Sequence, residues 1–175
     1  AVALAADVTF ADGADIITAS AGTSNFRAGV NAGNSIASGG NYNVVVGDEA
    51  GTAITTGDHN SAVGYAALSS NTTASYNTAV GYQALTSNIT GAENAAFGFR
   101  ALDVNLASFN NAFGSETLGS NTTGASNTAF GHASLASNTT AANNTAVGKS
   151  ALGANTTGDL NVAVGALSGD ANTTG

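Results

Sequence analysis

A 17-residue unit, Asn77-Thr78-Ala79-Val80-Gly81-Tyr82-Gln83-Ala84-Leu85-Thr86-Ser87-Asn88-Ile89-Thr90-Gly91-Ala92-Glu93, recurs with substitutions from about residue 25 to the end of the chain. Its nine copies, in which the starting Asn is called position 1 below, begin at Asn25, Asn43, Asn60, Asn77, Asn94, Asn110, Asn127, Asn144 and Asn161. Successive copies begin 17 residues apart, except for one spacing of 18 and one of 16. Copies in phase over this length indicate a repeat architecture and not a disordered low-complexity chain.

The residue types within the repeat predict short strands joined by tight turns. Positions 1 and 5 are Asn and Gly in all nine copies, position 4 is mostly Val or Phe, and position 9 is Leu in the six central copies. Seventeen residues are too few for a pair of helices. The fragments Asn-Thr-Ala-Val-Gly and Ala-Leu-x-Ser-Asn-Thr-Thr are typical of strands of three to five residues. Gly at position 5 suits a positive φ or close packing, and Asn at positions 1 and 12 suits left-handed turns. We therefore predict an all-β fold, a parallel β-solenoid (β-roll) of about nine coils.

The composition excludes several functional classes. Ala, Gly, Thr, Asn and Ser make up 120 of the 175 residues, and only 8% are charged. The absence of Cys removes disulfides and thiolate sites, and two His make a zinc enzyme improbable. A net charge of −8 argues against nucleic acid as a partner, and no apolar run reaches the roughly 20 residues of a membrane span.

The predicted core is thin, which favours association of several chains. Each coil contributes to it about one Val or Phe, one Leu and a few Ala, too little to offset the conformational entropy of 17 ordered residues. Side chains alternate between the two faces of a strand, so we expect the small residues at position 3 to form a flat outer face. The interpretation is a homotrimer packed through the alanines of that column: Ala62, Ala79, Ala96, Ala112, Ala129, Ala146 and Ala163.

The first two copies differ from the central ones in a compensating way. They carry Gly33 and Gly51 at position 9, where the central copies have Leu, and Ile36 and Ile54 at position 12, where those have Asn. We predict that both Ile side chains are buried in the volume that Leu68, Leu85 and Leu102 fill elsewhere.

The chain divides into residues 1–24 and the repeat array of residues 25–175. Val8-Thr9-Phe10 and Ile16-Ile17-Thr18 flank Asp12-Gly13, which predicts a short hairpin. This hairpin would cover the open edge of the first coil, or the segment would be a connector from an upstream domain.

No catalytic, cofactor or metal site is expected. His59 and His132 lie about four coils apart, and no phosphate-binding loop or calcium-binding nonapeptide pattern occurs. Six Asn-x-Thr sequons at position 12 are interpreted as one structural turn copied with the repeat, with glycosylation as the alternative: Asn71, Asn88, Asn121, Asn138, Asn155 and Asn172. Paired threonines after these Asn residues raise an ice-binding hypothesis, but adjacent residues face opposite sides and leave one outward row.

Position 6 is the candidate partner contact. It holds Asp48, Lys149 and Phe99 in different copies, so it is at least partly accessible to solvent. Tyr65, Tyr82 and Phe99 follow one another there, about 4.8 Å apart by strand spacing. We predict an aromatic stripe that either holds a sugar ring or partner side chain, assisted by Gln83 and Arg100, or only stabilises the stack.

The Asn-x-Ala-Val/Phe-Gly unit resembles the head repeats of bacterial trimeric autotransporter adhesins, which form trimeric parallel β-rolls. The fuller phrase Asn77–Leu85 with Ser87–Gly91 is more similar to phage tail-fibre repeats, and Gly47–Asp58 looks like fibre arrays of marine viruses. The resemblance implies a non-enzymatic, trimeric shaft or head of a virus tail fibre that helps to present host-attachment surfaces. Its location would be the virion surface, and its partners a host glycan or receptor and other fibre or virion proteins. The alternative is the head of an autotransporter or other filament at the cell surface.

Overall fold

The computed structural model describes residues 21–174, so the hairpin predicted around Asp12-Gly13 lies outside the described residues. Nine strands of three residues follow one another in this part of the chain, which contains no helix. They are β1 Phe26–Ala28, β2 Val44–Val46, β3 Ser61–Val63, β4 Thr78–Val80, β5 Ala95–Phe97, β6 Asn111–Phe113, β7 Thr128–Phe130, β8 Thr145–Val147 and β9 Val162–Val164. All pair in parallel in chain order to form one sheet. The prediction of an all-β parallel solenoid is confirmed.

The register places equal repeat positions side by side. Ala79 of β4 pairs with Ala96 of β5, and Val80 pairs with Phe97. The same correspondence holds across all eight strand pairs, including those next to the 16- and 18-residue coils. Every repeat position therefore forms a column that runs along the solenoid axis.

Each coil contains one strand, and the remaining residues form turns. The fragment beginning Ala-Leu-x-Ser, which the sequence predicts to be a second strand, turns instead through residues with positive φ. In one coil these are Gly81 (133°), Gln83 (54°), Leu85 (52°) and Glu93 (57°), at positions 5, 7, 9 and 17. The expected left-handed Asn at positions 1 and 12 is wrong, because no described Asn at those positions has a positive φ.

The interior is lined by positions 3, 8 and 9. In a typical coil Ala79, Ala84 and Leu85 have no exposed surface. The position 3 alanines are therefore core residues, and the prediction that they form an outer oligomer face is wrong. Where position 9 is Leu, position 3 is Ala; in the coil with Gly51 at position 9, the larger Val45 is fully buried at position 3.

Buried amides fill the rest of the interior. The backbone N–H of Asn127 donates to Asn110 Oδ1 in the preceding coil (3.0 Å), and Asn127 Nδ2 donates to the Ala141 carbonyl in its own coil (2.8 Å). Asn138, at position 12, donates Nδ2 to the same carbonyl (2.9 Å) and to Asn121 Oδ1 (2.8 Å). In the coils that carry both Asn residues with these bonds, the two columns close the coil across its middle and join it to its neighbour. Four buried amide atoms, Asn71 Oδ1, Asn88 Oδ1, Asn144 Nδ2 and Asn161 Nδ2, have no hydrogen-bond partner among the described residues.

Differences in coil length lie in one turn. Asn60 reaches the closing carbonyl of Ala74 fourteen residues later, whereas in the 18-residue coil Asn25 donates to Gly40, fifteen residues later. In the 16-residue coil the closing carbonyl is thirteen residues after Asn94. The residues gained or lost therefore lie between position 12 and the closing carbonyl, and the strands keep their register.

The predicted exchange of Leu for Ile is confirmed. Ile36 and Ile54 are buried, with 6% and 0% of their surface exposed. A Cβ built on Gly51 would lie 2.8 Å from Ile54 Cδ1, and one built on Gly33 would lie 2.8 Å from Ile36 Cδ1. The same built Cβ atoms would lie 2.7 Å from Val45 Cγ1 and 2.9 Å from Val45 Cγ2, respectively. Ile at position 12, together with Val45 at position 3, therefore fills the space that Leu at position 9 takes in the central coils.

Candidate binding surface

The outer face of the sheet carries a continuous apolar stripe at position 4, called here the Val/Phe column. It contains Val46, Val63, Val80, Phe97, Phe113, Phe130, Val147 and Val164. Val63, Phe130 and Val147 are 37%, 41% and 37% exposed, and Val164 is 68% exposed. The rings of the three phenylalanines stack in parallel, with centroids 4.6 and 4.5 Å apart. The large strand side chains expected in the core therefore face outward.

The column next to it is of different character. Position 2, which shares the outer face with position 4, holds small or polar residues in the central coils: Ser61, Thr78, Ala95, Asn111, Thr128 and Thr145. The outer face of the sheet is therefore apolar along one edge and polar along the other.

The predicted aromatic stripe at position 6 is exposed, as the sequence indicates, and forms what is called here the Tyr–Phe stack. Tyr65, Tyr82 and Phe99 are 50%, 46% and 46% exposed. Their ring centroids lie 5.4 Å apart at both steps, with interplanar angles of 18° and 12°. Because the rings cover one another, most of what they present to solvent is their edges.

Gln83 and Arg100, predicted to assist that stripe, follow it at position 7, where φ is positive. The Arg100 guanidinium is turned toward Asp103 in the same coil, with Nε 2.8 Å from Asp103 Oδ2. Hydrogen bonding to Asp103 and the charge of that carboxylate raise the pKa of Arg100 above its ordinary value. The Arg100 side chain is therefore bonded to Asp103 in its own coil. Gln83 is the polar side chain beside the rings that is more available to a partner.

A second aromatic stack, called here the Tyr–His stack, lies at the last position of three successive coils (position 17, or 18 in the longest coil) and was not predicted from the sequence. Tyr42, His59 and Tyr76 stack with centroids 4.9 and 5.1 Å apart and interplanar angles of 13° and 6°. The signal was available, because the three residues are 17 apart, immediately before the Asn of position 1.

A shallow groove of about 430 Å³ lies where this stack ends. It is lined by Tyr76, Thr78, Glu93, Asn94 and Ala95. In the next coil Glu93 takes the place of a ring at position 17, and Ala95 is the smallest residue at position 2 of the central coils. The loss of bulk at both positions of one coil opens the groove.

The sequons at position 12 lie inside the solenoid. Asn71, Asn88, Asn121, Asn138 and Asn155 have no exposed surface, and Nδ2 of each donates to the backbone carbonyl three residues on. Because a glycan is attached to this nitrogen, the folded chain cannot carry one at these five positions. Asn172, in the last coil, is half-buried.

The threonines after the sequons use their hydroxyls within the protein. Thr122 Oγ1 donates to the Thr139 carbonyl (2.9 Å), and Thr139 Oγ1 donates to the Thr156 carbonyl (3.1 Å). Position 14 is the exposed row, with Thr123 and Thr140 among its members. This leaves one exposed row of threonines, as expected, although the segment lies in a turn and not in the strand from which the row was predicted.

Residues 21–174 hold no group of three or more His, Asp or Glu side chains placed to bind a metal ion. In the same range, no helix has the length and apolar character to cross a membrane.

Comparison of the chain with protein-family models, with curated proteins and with solved structures finds no match.

Proposed function

We propose that the chain is a structural and adhesive fibre module, the rigid trimeric shaft or head of a virus tail fibre that helps to present host-attachment surfaces. The observation that supports this proposal is the Val/Phe column. It extends along nearly the whole array, and no described residue covers it. A uniform solenoid with one exposed apolar column is suited to bear load and to associate side by side with other copies.

The energetics favour bundling through this column. Fully burying a Val or Phe side chain contributes about 1.5–3 kcal/mol. Four of the eight side chains are partly exposed and the other four are 37–68% exposed. Their burial therefore offers on the order of 5 kcal/mol per chain, near the lower end of the about 4–15 kcal/mol cost of association. The interior gains nothing further, since its columns are already buried.

The occupant of the column is a further copy of the same chain. The column presents one apolar group per coil, at the spacing of parallel strands. A partner must repeat with the same spacing to match it along its length, and another copy in parallel does so without strain. Closed cyclic symmetry buries such a column on every subunit and leaves none exposed.

The experiment is light scattering on the purified chain and on two matched variants. The chain should have three times its 16.8 kDa mass and appear as a short rod in electron micrographs. Phe113→Glu, in the middle of the Val/Phe column, should lower the mass to that of one chain. Tyr82→Glu, in the middle of the Tyr–Phe stack, should not.

A monomer at every concentration would overturn the assembly proposed here, and equal dissociation of both variants would place the interface elsewhere. The virion location has its own test. Antibodies against the chain should decorate the fibres of particles that contain it, and decoration of a bacterial surface instead would show the autotransporter alternative to be right.

A further inference from the structure

We propose that the groove beside Tyr76 is a binding site for an organic ammonium cation, such as a quaternary or methylated amine. The inference does not depend on the proposed fibre function, because it rests on the end of the Tyr–His stack and on Glu93.

The free ring face is the first element of the site. His59 covers one face of Tyr76, with centroids 5.1 Å apart. The other face looks along the axis toward the next coil, where position 17 is Glu93. The register of this step is clear, because the N–H groups of Tyr76 and Glu93 donate to equivalent carbonyls of the preceding coils, Asp58 and Ser75. The column therefore lacks a fourth ring at the place where one would cover the free face of Tyr76.

The carboxylate is the second element. One coil separates Tyr76 from Glu93, about 4.8 Å by strand spacing. A cation interacts favourably with an aromatic face within about 6 Å of the ring centroid. A cation held above Tyr76 is therefore also close to the Glu93 carboxylate.

Charge selects a cation over a neutral ligand. The ion pair between Arg100 and Asp103 is the one found among the described residues, so Glu93 has no cationic partner there. The whole chain carries a net charge of −8 with only three Lys and Arg, and its field attracts cations. An organic ammonium ion fits better than Na⁺, because it loses little hydration on contact with the ring and with the methyl group of Ala95.

The groove supplies the space. Its volume of about 430 Å³ exceeds that of one trimethylammonium group, and Thr78 lines it with a hydroxyl for the remainder of a ligand. Asn94 contributes only to the wall, because its amide is hydrogen-bonded to Asn77, Ala107 and Asn110. The polar edge of the sheet, not the Val/Phe column, borders it, so the proposed trimer contact does not have to cover it.

The test is NMR titration of the alanine-methyl-labelled chain with choline chloride, at constant ionic strength set with NaCl. The Ala95 methyl signal should shift and saturate. The neutral isostere 3,3-dimethyl-1-butanol should cause no comparable shift. Glu93→Gln, which keeps the shape and removes the charge, should weaken choline binding by about fivefold or more.

Two matched controls complete the design. Glu116→Gln removes an equal charge elsewhere, and Tyr42→Ser shortens the same stack at its opposite end, so both should bind choline like the unaltered chain. Equal binding of the neutral isostere, preference for methyl glucoside over choline, or equal weakening in Glu93→Gln and Glu116→Gln would each overturn the proposal. Light scattering of every variant shows that the assembly is unchanged.

Discussion

The glycines at position 5 offer a direct test of how closely the coils stack. Gly81 has φ of 133°, and a Cβ on it would lie 2.5 Å from the carbonyl oxygen of Gly98 in the next coil. That distance is 0.9 Å short of the 3.4 Å at which ordinary contact begins. Gly165 has a similar φ of 123°, but among the described residues a Cβ there would meet only Ser168 Cβ, at 3.9 Å. Comparison of alanine substitutions at Gly81 and Gly165 therefore distinguishes the cost of backbone strain from the cost of collision between coils.

Gly165→Ala should cost about 1–3 kcal/mol of unfolding free energy, the usual range for a side chain in a disfavoured φ region. Gly81→Ala carries the same strain and must also push apart two coils joined by the hydrogen bond from Gly98 N to the Val80 carbonyl (2.8 Å). We expect a loss above about 4 kcal/mol. Urea unfolding followed by circular dichroism measures both, at one protein concentration because assembly contributes to stability.

Gly148→Ala is the control for position along the axis. Gly148 lies one coil from Gly165, yet its Cβ would lie 2.5 Å from Gly165 backbone atoms. It should therefore behave like Gly81→Ala. If Gly148→Ala matches Gly165→Ala instead, the difference reflects fraying of the last coils, and the argument from close stacking is refuted.

Three further predictions address the interior and the outer columns. Leu68→Gly should destabilise the chain by about 3 kcal/mol, and adding Asn71→Ile should restore at least half of this, as unfolding of the single and double variants will show. Peptide mapping of the folded chain after secretion from a eukaryotic host should find no glycan on Asn121 or Asn138, and a glycan there on folded protein would contradict their burial. Tyr82→Ser should lower the melting temperature, because two ring contacts worth about 0.5–1.5 kcal/mol each are lost; an unchanged melting temperature would show that the Tyr–Phe stack is not structural.

The repeat period made most of the fold predictable. A 17-residue phase implies columns, short strands and parallel pairing, and the paired changes at Gly51 and Ile54 revealed a shared interior volume before any coordinates were known. These inferences depend on spacing and on residue volume, both of which the sequence states directly.

The direction in which the strand faces was not predictable from alternation alone. Alternation separates position 3 from position 4 without saying which points inward, and the expectation that large residues lie inside gave the wrong answer. The variation in volume was the better guide. Position 4 ranges from Ala28 to Phe97, whereas position 3 is Ala in seven of nine copies. A close-packed interior tolerates little change in volume, so the variable column is the outer one.

Of the candidate sites, one could likewise be predicted from the sequence and one could not. The Tyr–Phe stack could be predicted, because it depends on which residues occupy one column. The groove beside Tyr76 could not, because it depends on what Glu93 and Ala95 leave empty in neighbouring columns, and the distance between columns is known only from the coordinates.

The closing hydrogen bonds of the Asn columns also allow the length of one coil to change in evolution independently of its neighbours. Between position 12 and the carbonyl that accepts from position 1, the coils beginning at Asn25, Asn60 and Asn94 differ in length without disturbing the next strand. An insertion or deletion in this turn is therefore accommodated within that coil and does not shift the register of the next strand. Loops of new sequence can be added there, and whole coils duplicated or lost, while the remaining columns stay aligned. The fold can lengthen, shorten and acquire new surface features by such steps without first losing its stability.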